Sequence, residues 1–183
     1  SRTGAAPLAE MMESLTKRPN ISVVTCMGNE ANNKCHYKGA VMSALVPDVM
    51  EINVDGTGKG FTMEIWADSL DILSVSIESP SGEYVPRIPA RMGASMEYTF
   101  LYEGSTVTVD YQITENVAGM EVIFVRLKTP VEGTWKFYIY SLTNIKGSYN
   151  AWLPLKQFSG QDIYFLKSDP DITLTVPAAA DGV

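Results

Sequence analysis

Pro130-Val131-Glu132-Gly133-Thr134-Trp135-Lys136-Phe137-Tyr138-Ile139-Tyr140 reads as a tight turn that opens into a β-strand. Pro130 and Gly133 punctuate the turn. A period of two then sets Trp135, Phe137 and Ile139 on one face, with a large aromatic anchoring a core just after the turn. The same alternation recurs upstream, where Leu73, Val75 and Ile77 share one face and Ser74, Ser76 and Glu78 the other. Working outward, strands are expected over Met50 to Val54, Gly60 to Ala67, Ile72 to Glu78, Glu97 to Tyr102, Thr106 to Ile113, Met120 to Leu127 and Gly133 to Ser141, with another at Asp162 to Phe165. Turn clusters separate them, among them Ser79-Pro80-Ser81-Gly82, Glu103-Gly104-Ser105 and Glu115-Asn116. Short strands at this spacing predict a mainly β two-sheet sandwich or jelly roll.

Trp66, Trp135, Trp152 and nine tyrosines supply the large side chains such a core needs. They are also the residues of a sugar-stacking platform, and Tyr149-Asn150-Ala151-Trp152-Leu153-Pro154 reads as an exposed loop carrying one of them. The triplet Gly56, Gly58 and Gly60 lies between two strands and lacks the Gly-Lys-Ser/Thr ending of a phosphate loop, so a turn is expected there. Asn53, Asp55 and Gly56 begin an EF-hand pattern, but the further ligand positions and the closing Glu are absent. Asn20-Ile21-Ser22 matches a glycosylation sequon at the mouth of an apolar run.

That run, Ile21-Ser22-Val23-Val24-Thr25-Cys26-Met27-Gly28-Asn29-Glu30, has the near-continuous β-branched character of a buried parallel strand and breaks abruptly at Gly-Asn-Glu. Ligands in open α/β sheets gather at the carboxyl ends of such strands. An Asn there can aim its amide at a developing oxyanion, and the adjacent Gly lets a substrate backbone approach. Gly and Asn are equally the residues of an ordinary turn. Before the run, apolar residues at Leu8, Met11, Met12 and Leu15 mark one face of a helix; Pro7 suits its first turn, Lys17-Arg18 complement its negative end, and Pro19 stops it. Asp171 to Ala180 reads as a second short strand running into small residues.

Pro7-Leu8 with the following helix, Val23-Val24 to Glu30, Asn32 to Tyr37 and Thr173 to Ala180 resemble the germination-protease-like subgroup of subtilisin-like serine proteases, in which a jelly roll is inserted within the catalytic domain. The Pro130 to Tyr140 phrase is similar to strands of sandwich domains found in or beside proteases. The resemblance implies a jelly-roll or β-sandwich over 46–167, inserted between a helix and oxyanion-hole strand at 1–45 and a return strand at 168–183. It implies Asn29 as the oxyanion donor and Thr25, Cys26, Met27 and Gly28 as one wall of the substrate pocket, with bulky Met27 making that pocket shallower. No match to the family's catalytic Asp, His or Ser motif is present, and His36 matches an aromatic, His-bearing loop of the subgroup. The chain is therefore expected to be an internal piece of a serine endopeptidase, inactive by itself. Its implied partners are a peptide or protein substrate and the remainder of the catalytic domain. The alternatives are a stand-alone β-sandwich module binding glycan or protein, and a piece of a pseudoprotease.

The chain has 183 residues, 45% of them apolar, enough to bury a substantial core. A net charge of −7 with no Lys/Arg stripe argues against nucleic acid or an anionic membrane as partner. No apolar stretch approaches the roughly 20 residues that span a bilayer. Cys26 is expected as a small core residue and Cys35 as a second free thiol. Together with His36 they match no zinc spacing, so neither metal nor other cofactor is expected. Compartment stays open among spore-associated, secreted and cytoplasmic.

Overall fold

Leu73–Glu78 (β4) becomes a strand because it has a neighbour on each side: β9 (Gly133–Ser141) along its whole length and β5 (Tyr84–Ile88) across a bulge. The computed structural model describes residues 7–26, 28, 30–56, 58–68, 70–91, 93–114, 120–159 and 162–171. The chain forms two compact units, Ser1–Asn32 with Pro170–Val183, and Asn33–Asp169.

Among the described residues, all eleven strands belong to the second unit. The others are β1 (His36–Ala40), β2 (Asp48–Asp55), β3 (Gly60–Asp68), β6 (Ser95–Thr99), β7 (Thr106–Thr114), β8 (Met120–Lys128), β10 (Ser148–Trp152) and β11 (Asp162–Phe165). They make two antiparallel sheets, ordered β1-β10-β3-β8-β7-β6 and β11-β2-β9-β4-β5. The fold is mainly β, as the alternation predicts. The pairs β4–β5, β6–β7 and β7–β8 are hairpins within one sheet, a departure from the crossing connections of a strict jelly roll.

The core lies between the sheets. Met50, Ile52, Met63, Ile65, Val75, Ile77, Val109, Ile123, Val125, Phe137 and Ile139 are fully buried there. Trp135 is fully buried, edge-on to Phe100 at 5.1 Å between ring centroids, and its indole N–H donates to the Val131 carbonyl at 3.1 Å. Gly60 has φ +112°, and a Cβ there would lie 2.0 Å from the Leu127 carbonyl oxygen, so the last glycine of the triplet serves close strand pairing. Tyr149 to Pro154 corrects the exposed-loop expectation: Ser148–Trp152 is β10, with Tyr149 buried and Trp152 half-buried. Its polar residues face outward while Tyr149 and Ala151 enter the core.

In the first unit, α1 (Pro7–Thr16) starts on Pro7 as expected. It unwinds through bonds from the Lys17 N–H to the Glu13 carbonyl and from the Arg18 N–H to the Leu15 carbonyl. Residues 21–26 are not a strand, which corrects the buried-strand expectation. Val24 is 92% exposed and Cys26 is exposed, whereas Cys35 is the buried thiol. A β-branched run becomes a strand only beside a hydrogen-bonding neighbour, and among the described residues no strand pairs with this one. Of the expected return strand, 172–180 lies outside the described residues.

Candidate functional site at the acid-clamped end of the sandwich

Asp71, in the short β3–β4 connection, is 1% exposed, and its carboxylate organises the loops at one end of the sandwich. Oδ1 accepts from the Ile145 N–H at 2.7 Å, and Oδ2 from the N–H groups of Lys146 at 3.0 Å and Gly147 at 2.7 Å. The hydroxyls of Ser141 and Thr143 approach Oδ1 at 3.4 and 3.5 Å. Three successive main-chain donors on one carboxylate fix the β9–β10 loop, because charged acceptors make the stronger hydrogen bonds. Gly147 then meets the β1–β2 loop: its carbonyl accepts from the Val41 N–H at 2.8 Å. With φ +68° and a Cβ position 2.3 Å from the Val41 oxygen, only glycine fits there. The Leu142 N–H donates to the Ile72 carbonyl at 2.9 Å and the Thr143 hydroxyl to the Leu70 carbonyl at 2.9 Å, joining the β3–β4 connection to the same clamp.

These tied loops display apolar side chains to solvent. Met42, Leu45 and Val46 on one loop, Leu70 on the second, and Leu142 and Ile145 on the third are all more than half exposed. A rigid backbone presenting large apolar groups is the character of a protein-docking surface.

Beneath the clamp lies a second buried acid. Glu121 of β8 is 1% exposed; Oε2 accepts from the Leu73 N–H at 3.0 Å, and Oε1 has no partner among the described residues. Burial pushes its pKa up to about 7, and the neighbouring Asp71 charge pushes the same way against the Leu73 bond. Among the described residues, no three His, Cys, Asp or Glu side chains converge on a common point.

His36 is also fully buried. Its Nδ1 lies 3.1 Å from the Asp169 carbonyl oxygen, its Nε2 3.0 Å from the Asn150 side-chain oxygen, and its ring stacks on Trp152 at 4.6 Å. The ring joins β1, β10 and the 165–169 segment. Nearby, Asp48 accepts from the hydroxyls of Tyr37 at 3.0 Å and Tyr149 at 2.6 Å. Burial, followed by the Asp48 carboxylate, raises the Tyr149 phenol far above its ordinary range.

Of the residues singled out from sequence, Met27 and Asn29 lie outside the described residues. Thr25 is half-buried, Cys26 exposed, and Gly28 has φ +83°. Asp71 and Glu121 are the polar residues that sequence reading missed. Glu121 did leave a signal, since it shares the inward parity of Ile123, Val125 and Leu127 on its strand.

Two antiparallel sheets around one core define a mainly β domain. One solved structure it resembles is that of the CspB protease of Clostridium perfringens, with a TM-score of 0.85 and 22% sequence identity over 100% of this chain and 38% of that one. No family model and no curated protein matches the chain. The chain thus spans 38% of the length of that neighbour, and at this identity the likeness shows the fold alone. This corrects the resemblance drawn from short motifs: the structural likeness is to the CspB protease at low identity and over part of its length, with no family match beside it, and the assignment to the germination-protease-like subtilases does not hold.

Proposed function

We propose that this chain is an internal segment of a larger serine endopeptidase, in which the sandwich is a rigid scaffold and the 25–29 segment contributes to the substrate site. The observation that carries this reading is the likeness of the whole chain to part of a protease. The exposed apolar run at 21–26 and the apolar loop end both have the character of surfaces that a larger protein covers.

In the parent, acyl transfer runs through a serine, with a histidine as base and an aspartate orienting it, all three outside this chain. Asn29 donates a hydrogen bond to the tetrahedral oxyanion, and Thr25, Cys26, Met27 and Gly28 line the pocket for a peptide or protein substrate. His36 is too enclosed to substitute for the missing base.

The test is Asn29→Ala in the complete parent enzyme. Loss of one oxyanion donor lowers kcat by about 10²–10³ with little change in KM. An unchanged kcat would remove Asn29 from the mechanism. The purified 183-residue chain hydrolyses no peptide on this reading, and inhibitor-sensitive hydrolysis by it would overturn the division of catalytic labour.

A further inference from the structure

The four sheet edges are not protected alike. Edge strands expose unpaired N–H and C=O groups, and soluble proteins blunt them with proline, lysine, bulges, shortness or a covering segment. β5 carries Pro86 and a bulge. β11 has only four residues, with an ion pair between Lys156 and Asp162 beside it at 2.6 Å. β1 carries the exposed Lys38, and its His36 carbonyl accepts from the Asp169 N–H at 2.9 Å. Among the described residues, β6 has no proline, lysine, bulge or covering strand. Ser95–Thr99 pairs residue for residue with β7 on one side, ends the sheet on the other, contains no Pro, Lys or Arg, and is exposed at all five positions.

The side chains of β6 specify what suits this edge. Met96 and Tyr98 lie opposite Val109 and Val107 on the inner parity of the sheet, yet remain 45% and 42% exposed. Glu97 points to the other face, where Lys128 approaches at 3.8 Å; both side chains of that pair are more than half exposed, so it neutralises Glu97 weakly. A second copy of the chain fits poorly. The two-fold antiparallel register that pairs all five residues sets Glu97 against its own copy, and each chain carries a net charge of −7.

We infer that β6 is a strand-addition site for an extended peptide that places apolar residues beside Met96 and Tyr98 and a lysine or arginine beside Glu97. Main-chain hydrogen bonds supply affinity and the alternating side chains supply selectivity.

The probe is the synthetic peptide Ser-Thr-Val-Lys-Val-Thr-Ser, with one analogue carrying Glu in place of Lys and another N-methylated at alternate residues. Fluorescence anisotropy of the labelled peptides gives affinity, and hydrogen exchange of the protein locates the contact. The Lys peptide slows exchange at Ser95–Thr99 and binds about fivefold tighter than the Glu analogue, the scale of exchanging an opposite for a like cross-strand charge. Glu97→Lys, at an exposed position, inverts that order, and N-methylation abolishes binding. Three results would overturn the inference: no protection of β6 by either peptide, equal binding of the N-methylated analogue, or concentration-dependent protection of β6 by the protein's own dimerisation.

Discussion

Ile21–Cys26 and Leu73–Glu78 are two six-residue runs of similar β-branched and apolar character, yet only the second is a strand. Leu73–Glu78 lies between β9 and β5, and five of its six residues are buried. Ile21–Cys26 has no paired strand among the described residues, and Ile21 and Val24 are exposed. The difference teaches that β-propensity describes fitness for a half-buried pleated surface, and that the neighbour decides whether the surface exists.

The sharpest way to break the comparison is to truncate matched side chains and follow urea unfolding. Ile77→Ala is expected to cost about 2–5 kcal/mol, because it opens a cavity in a filled core. Val24→Ala should stay within about 0.5 kcal/mol, the range of an exposed site. Comparable losses at both positions would mean that the 21–26 run is packed as tightly as β4.

A comparably large effect comes from the acid clamp at the start of β4. Asp71→Ala leaves three loop N–H groups without their carboxylate and is expected to destabilise by about 3 kcal/mol or more, measured by the same unfolding curves. The β9–β10 loop should then lose its hydrogen-exchange protection before the core does. Preserved protection there would show that the loop is held by other contacts.

Glu121 makes the β4 end sensitive to pH. Its folded pKa of about 7 lies above the ordinary carboxyl value, so its contribution is complete below about pH 4.5 and is lost as pH rises through 7. A rise of that size corresponds to roughly 3 kcal/mol between those limits. Glu121→Gln should flatten the dependence and stabilise the protein at pH 8.5 relative to the unaltered chain. A variant with the same pH profile would assign the dependence to other groups.

A smaller loss than at Ile77 or Asp71 is expected at Gly147→Ala, about 1–3 kcal/mol, from a left-handed backbone and a close approach to Val41. Melting temperature reads it directly, and an unchanged value would mean that the β1–β2 loop gives way without cost.

Much of the sandwich was legible because strands with strong alternation announce both faces. Trp135, Phe137 and Ile139 enter the core as their parity requires. The strands that escaped are short and lie at or near edges. β1 contains Gly39, where a side chain would strike the Tyr149 ring; β5 contains Pro86; β10 carries Ser148 and Asn150. Each draws its identity from its neighbours. The clamp was harder still, since Asp71 acquires its role from a loop far along the chain and no local pattern announces that contact. Glu121 was readable in principle, as an acid on the core-facing parity of an apolar strand. The motif reading erred in the other direction: short matches around 21–30 suggested a specific family, while what the fold supports is likeness to part of a protease structure at low identity.

The central claim is that this chain works inside a larger polypeptide. The direct measurement is the mass of the native protein in its source, detected with antiserum raised against the 183-residue chain. The account expects a product well above 20.1 kDa, with serine, histidine and aspartate motifs in the flanking sequence. A native product of 20.1 kDa with no larger precursor would contradict it.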